Sequence, residues 1–101
     1  MMDKINDKLK YVIVRTYSAG VFAGNIESRK NREVVLLNAR RLWYWKGAAS
    51  LSELAVCGTS CPNECKFPIE VPRIELFETI EILYVTPAGE KSIKSVPIWK
   101  A

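Results

Sequence analysis

The sequence predicts a β-rich α+β fold: about five mostly antiparallel strands, a meander or small barrel, with two short helices. Three observations carry this. Runs such as "YVIVRTYS", "VVLLNARRLWYW" and "IEVPRIELFETIEILYV" are rich in β-branched and aromatic residues. Turn-forming residues separate them at short intervals, which favours antiparallel pairing of sequential strands. Helix-start signals occur at only two places, and each opens a short segment. With 101 residues the chain predicts one domain. Residues 1–10 form a flexible or helical arm, and 11–101 a single β-rich domain.

The first strand begins at Tyr11. Its consecutive apolar residues Val12, Ile13 and Val14 predict a strand covered on both faces. Gly20 punctuates, and "VFAGNI" resumes extended structure, with Gly24 marking a bulge or a close backbone approach. "ESRKNRE" reads as the next turn, with Asn31 able to adopt positive φ. The following strand runs to Trp45 and ends at Gly47. Strict alternation puts Val35, Leu37, Ala39, Arg41, Trp43 and Trp45 on one face. Val34, Leu36, Asn38, Arg40, Leu42 and Tyr44 fall on the other. Each face passes from aliphatic residues through an arginine to an aromatic, so the strand starts in the core and ends at a rim or subunit contact.

Ser50 and Glu53 match a capping box ahead of a helix over Leu51–Cys57, with Gly58 as its C-terminal cap. "GTSCPNECKFP" is a loop. In the last extended run the alternation changes phase around Phe77 and Glu78, which means a bend, bulge or tight turn. Thr86-Pro87 starts a second helix of one or two turns before Pro97. Trp99 in the tail docks its ring on the body.

Composition limits the function classes. Apolar residues make up 49% and charged residues 26%, the balance of a folded soluble domain. No apolar run reaches the roughly 18 residues of a membrane span. The polar start lacks a signal peptide's apolar region, which points to the cytoplasm. There is no histidine, so no histidine-based triad exists. No P-loop, G-x-G-x-x-G or paired catalytic carboxylates occur, and the expectation is a non-enzyme without cofactor. Cys57, Cys61 and Cys65 lack a fourth ligand, and Gly58 and Pro62 interrupt them. They read as loop or packing cysteines in a reducing compartment, with no metal. Residues 1–46 carry a net charge of +6 and residues 47–101 a net −2. The basic half suits phosphates, or the acidic half of another copy.

The candidate binding residues are Arg41, Trp43, Trp45, Arg15, Tyr17 and Arg40. They combine guanidinium groups with aromatic faces, which suits a phosphate beside a stacked ring. Three readings fit: a small phosphorylated ligand, single-stranded nucleic acid as the weaker fit, or tryptophans that are core or interface anchors beside solvated arginines. Alternation favours Arg41 as the contact beside Trp43 and Trp45. The aromatic content also predicts a homo-oligomer.

The stretches "YVIVRTYSAGVFAG", "NARRLWYWKGAASLSELA" and "KFPIEV…IELFETIEI" resemble a family of small uncharacterised proteins encoded by bacteriophages and prophages. The likeness spans roughly Tyr11 to Trp99. It implies a phage product in the host bacterial cytoplasm or in the virion. It implies a non-enzymatic accessory protein acting by binding, countering host defence by sequestering a nucleotide signal or masking a host protein. The alternative is a virion or assembly component built on homo-oligomeric contacts. It brings no site residues of its own.

Overall fold

The computed structural model describes residues 9–100. The elements are β1 (Tyr11–Thr16), β2 (Val21–Lys30), β3 (Glu33–Arg41), α1 (Leu51–Cys57), β4 (Val71–Leu76), β5 (Thr79–Tyr84) and α2 (Pro87–Ser95). A 3-10 turn at Pro62–Glu64 interrupts the loop after α1. The arm expected at residues 1–10 lies outside the described residues except for Leu9 and Lys10. Those two lead into β1, with the Lys10 carbonyl accepting from the Ile26 amide at 2.9 Å.

The strands form one antiparallel five-stranded sheet in the order β4-β3-β2-β1-β5. β1 to β4 are therefore a meander, and β5 returns to the far edge beside β1. Only Phe77 and Glu78 separate β4 from β5, although these two strands lie at opposite edges. A two-residue link between opposite edges requires the sheet to curl until its edges meet at one corner. The Thr79 amide donates to the Arg32 carbonyl at 3.1 Å, which ties the start of β5 to the β2–β3 turn. The phase shift read around Phe77–Glu78 is this corner.

Curling explains the two-sided burial of β1. On the convex face, Tyr11, Ile13, Leu42, Phe67, Leu54, Ala55, Ile93 and Val96 form a core under α1 and α2. On the concave face, Val12, Val14, Phe22, Val34, Leu36, Ala39 and Leu76 form a second core supplied by strands alone. Val12, Ile13 and Val14 are all fully buried. Among the described residues no helix covers the second core, which is lined by strands of the curled sheet.

Two expectations about β2 and β3 are corrected. Glu27–Lys30 belongs to β2, and the turn is only Asn31-Arg32, with Asn31 at φ 57°. Exposed polar residues can occupy a strand end, because pairing draws on backbone groups alone. Second, β3 stops at Arg41, and its alternation breaks at Asn38, which has φ 53°. Asn25 pairs with Leu37 and Ala23 with Arg40, so β3 holds one extra residue there. The bulge swaps the faces of everything after it. Val34, Leu36, Ala39 and Arg41 share the concave face, and Leu37, Arg40 and Leu42 the convex one. Gly24 sits opposite: a Cβ there would lie 3.0 Å from the Leu37 carbonyl oxygen and 3.1 Å from the Ala39 Cα. The close approach expected at Gly24 is this contact.

Both helices begin as the sequence predicts. Ser50 Oγ accepts from the Glu53 amide at 3.1 Å, while the Glu53 carboxylate accepts from Ala49, one residue before the expected position. Thr86 Oγ1 accepts from the Gly89 amide at 3.0 Å and donates to the Val56 carbonyl at 2.6 Å, so the cap of α2 also grips α1.

The cysteines separate by environment: Cys57 is exposed, Cys61 half-buried and Cys65 buried in the convex core. The Cys65 thiol lies 3.5 Å from the carbonyl oxygens of Lys46 and Cys61. We expect Cys57→Ser to leave thermal stability unchanged. Cys65→Ser is expected to cost about 1–2 kcal/mol, because a buried hydroxyl desolvates at greater cost than a thiol. Parallel melting curves of the two variants check this.

Candidate functional site

The six residues singled out from the sequence do not share one environment. Arg40 is only 5% exposed. Its Nε donates to the Pro68 carbonyl at 3.1 Å and its Nη1 to Ile93 at 3.0 Å. Its Nη2 is shared among the carbonyls of Phe67 (2.9 Å), Val96 (2.7 Å) and Pro97 (3.0 Å). The guanidinium also lies 5.5 Å from the Phe67 ring centroid. Burial pushes its pKa below the ordinary value, opposed by Tyr11, Glu70 and Cys65. Carbonyl dipoles, two of them at the C-terminal end of α2, take the place of a carboxylate partner. Arg40 is therefore a joint between sheet, α2 and tail, and its donors are spent inside the protein.

Arg41 points to the opposite face. Its guanidinium lies 4.5 Å from the Phe22 centroid and closes that end of the concave core. Its Nη1 donates to the Ala19 carbonyl at 3.0 Å. Arg15 pairs in register with Val21 and Glu81, while Arg41 pairs with Phe22, one residue along β2. Adjacent strand residues face opposite ways, so Arg15 is not a companion of Arg41. Arg15 instead binds the Glu81 carboxylate at 2.8 Å. Tyr17, at 79% exposure, stands in the β1–β2 turn, with its amide donating to the Glu78 carbonyl at 2.9 Å.

The pocket expected for Arg41, Trp43 and Trp45 does not form. The chain leaves the sheet after Leu42. Trp45 packs on the convex core, across the sheet from Arg41. Trp43 is 65% exposed. What forms instead is a small aromatic platform. Tyr44 and Lys66 make an antiparallel bridge, and Phe67 and Ile98 a parallel one. The Trp99 amide donates to the Phe67 carbonyl at 3.0 Å. These bonds hold Lys66 between two rings, its Nζ 5.6 Å from the Tyr44 centroid and 5.5 Å from that of Trp99. Tyr44, Ile98 and Trp99 remain exposed. Trp99, expected to dock a ring on the body, packs in this partial way. Lys66 had no distinguishing signal in the sequence, because the bridge that brings it to Tyr44 is a tertiary contact.

The chemistry available is recognition by flat apolar rings and an ammonium group. Among the described residues, no group of three Cys, Asp or Glu side chains is placed to hold a metal ion. No described helix is long and apolar enough to cross a membrane.

Residues 9–93 match the model of a family described as a domain of unknown function, DUF6948. No curated protein and no solved structure matches the chain.

Proposed function

The chain belongs to the DUF6948 family, and from that premise we propose that it is a phage-encoded accessory protein that acts by binding in the host bacterial cytoplasm. Within that class, the geometry favours masking a host protein. One observation carries the reading: exposed Trp43, Tyr44 and Trp99, with Lys66 between two of the rings, held by backbone bridges rather than by side-chain packing alone. Rigid, exposed Trp and Tyr side chains lose little entropy on contact and dominate protein interfaces. The phage origin and the counter-defence role draw their support from the resemblance of the quoted stretches.

A second reading, a homo-oligomeric virion or assembly component, is favoured by β5. Among the described residues this strand is an edge of the sheet, and it exposes Ile80 and Tyr84. The two readings separate in one experiment. A photo-crosslinking residue is placed at Trp43 in one variant and at Ile80 in another, and both are expressed in bacterial cells. The proposal expects a discrete host-protein adduct from position 43, lost when Lys66→Glu or Trp99→Ala is added, with the melting temperature kept within a few degrees. Self-adducts from position 80 and long assemblies in size-exclusion chromatography, with no host adduct from position 43, would establish the second reading and overturn the first.

A further inference from the structure

The tail forms an open backbone edge beside the aromatic platform. The Trp99 amide donates to the Phe67 carbonyl at 3.0 Å, and Phe67 and Ile98 form a parallel bridge. Bonded groups alternate along such a ladder, so Ile98 turns its own amide and carbonyl away from Phe67. Neither group has a hydrogen-bond partner among the described residues. Tyr44, Lys66–Phe67 and Ile98–Trp99 thus make a short three-segment ladder whose outer rail is Ile98.

The two sides of this ladder differ in chemistry. Alternation puts Tyr44, Lys66 and Trp99 on one side and the pair Phe67 and Ile98 on the other. On the first side, the Lys66 ammonium stands between two rings. Arg15, Lys46, Arg73 and Lys94 each pair with a carboxylate, whereas Lys66 pairs with none among the described residues. On the second side is a cavity of about 240 Å³ lined by Arg40, Ile69, Glu70, Lys94, Val96 and Ile98. Its cations are already engaged: Arg40 donates to five carbonyls, and Lys94 binds Glu90 at 2.6 Å. Glu70 in its wall repels an incoming acid. What the cavity offers is aliphatic surface, with Ile69 67% and Ile98 51% exposed.

Resting on the host-protein reading above, we infer that the partner contributes an extended acidic segment, which adds as a strand to the Ile98 edge. Successive residues of a strand face opposite ways. A carboxylate side chain of the segment therefore sits over Lys66, and its aliphatic neighbour enters the cavity beside Ile69. Strand addition draws affinity from backbone hydrogen bonds and specificity from pockets for alternate side chains. The open amide and carbonyl of Ile98 supply the first, and the cavity supplies the second. The carboxylate is the counter-charge that Lys66 lacks, and it meets a cation that Tyr44 and Trp99 already hold in place.

The test titrates the full chain, labelled for amide NMR, with the peptide acetyl-Glu-Ile-Glu-Ile-Glu-amide. The amides of Lys66, Ile69, Ile98 and Trp99 are expected to shift saturably. The same peptide with Lys in place of Glu is expected to leave them in place. Lys66→Glu should weaken the Glu peptide about tenfold and admit the Lys peptide, a swap that unfolding cannot produce. Ile69→Ser, at an exposed position, should weaken the Glu peptide about fivefold through lost apolar contact. Ile80→Ser, on β5, is the control that keeps the parent affinity. Methylating the Ile amides or the Glu amides of the peptide blocks opposite edges of a strand, so one isomer should bind and the other should not. No saturable shift, equal affinity of the two methylated isomers, or a Lys peptide that binds the parent chain as tightly as the Glu peptide overturns the inference. If a host adduct from position 43 persists alongside such a failure, the masking reading stands without it. Saturable binding of the Glu peptide with no host adduct upholds the strand edge and removes the masking reading.

Discussion

Replacing Arg40 by Met is expected to lower unfolding free energy by about 3–5 kcal/mol, the range seen when one partner of a buried charged contact is removed. Met keeps much of the side-chain volume, so the loss reports hydrogen bonds rather than a cavity. Five backbone carbonyls, from Phe67, Pro68, Ile93, Val96 and Pro97, lose their shared donor. Phe67 and Ile93 still accept from the Trp99 and Val96 amides, so the desolvation cost falls mainly on the carbonyls of Pro68, Val96 and Pro97. Against a typical total of about 5–15 kcal/mol, the variant keeps a marginal fold at best. Arg40→Lys is expected to recover less than half, because an ammonium lacks the planar fork that reaches three segments at once. Urea denaturation of both variants measures this. Hydrogen exchange at Val96 and Trp99 should accelerate first, since Arg40 is the joint that holds the tail. A Met variant within about 1 kcal/mol of the parent chain would show that water satisfies these carbonyls instead.

The second large effect runs against helix propensity. Gly89 lies in the first turn of α2, and Gly→Ala within a helix normally adds up to about 1 kcal/mol of stability. Here Gly89→Ala is expected to destabilise by about 1–3 kcal/mol, the cost of overpacking. A Cβ at Gly89 would meet the Ala55 carbonyl oxygen at 2.2 Å and Val85 Cγ1 at 3.0 Å. The Ala55 carbonyl cannot simply retreat, because it accepts from the Thr86 amide at 3.1 Å, at the cap of the same helix. Gly58→Ala probes the other end of the contact. Gly58 has φ 81°, and its added Cβ would lie 2.2 Å from Ser92 Cβ. Adding Ser92→Gly should relieve the clash at Gly58 but not its backbone strain, so the double variant recovers only in part. Each kcal/mol should lower the melting temperature by roughly 4–8 °C in a domain of this size. A rise in melting temperature for Gly89→Ala would mean that the two helices separate freely.

The concave core tells the same story as these two predictions, because each depends on segments that meet only after folding. Arg40 and Arg41 look equivalent as neighbours in "ARRLWYW". One extra residue at Asn38 sends Arg40 under the helices and Arg41 onto Phe22. Positive φ at an asparagine is permitted by its side chain but not demanded by it, so the bulge could not be placed by counting. Alternation groups Arg41 with Trp43 and Trp45, and alternation fails across a bulge and beyond a strand end.

What the sequence determined by itself is local. The capping residues Ser50 and Thr86 start the helices they predict, Gly58 ends α1, Asn31 turns the chain, and the phase shift at Phe77–Glu78 marks the corner. Each depends on a residue's own conformational preference or on hydrogen bonds within a few positions, and those travel with the sequence. What tertiary structure alone decided is which edge β5 joins, which arginine is buried, and which side chains surround Lys66 and Thr79. Those outcomes depend on the curl of the sheet, which brings Thr79 to Arg32 and sets Val12 and Val14 in a core of strand residues. Curl is set by the summed twist and bulges of five paired strands, a property that no single segment carries.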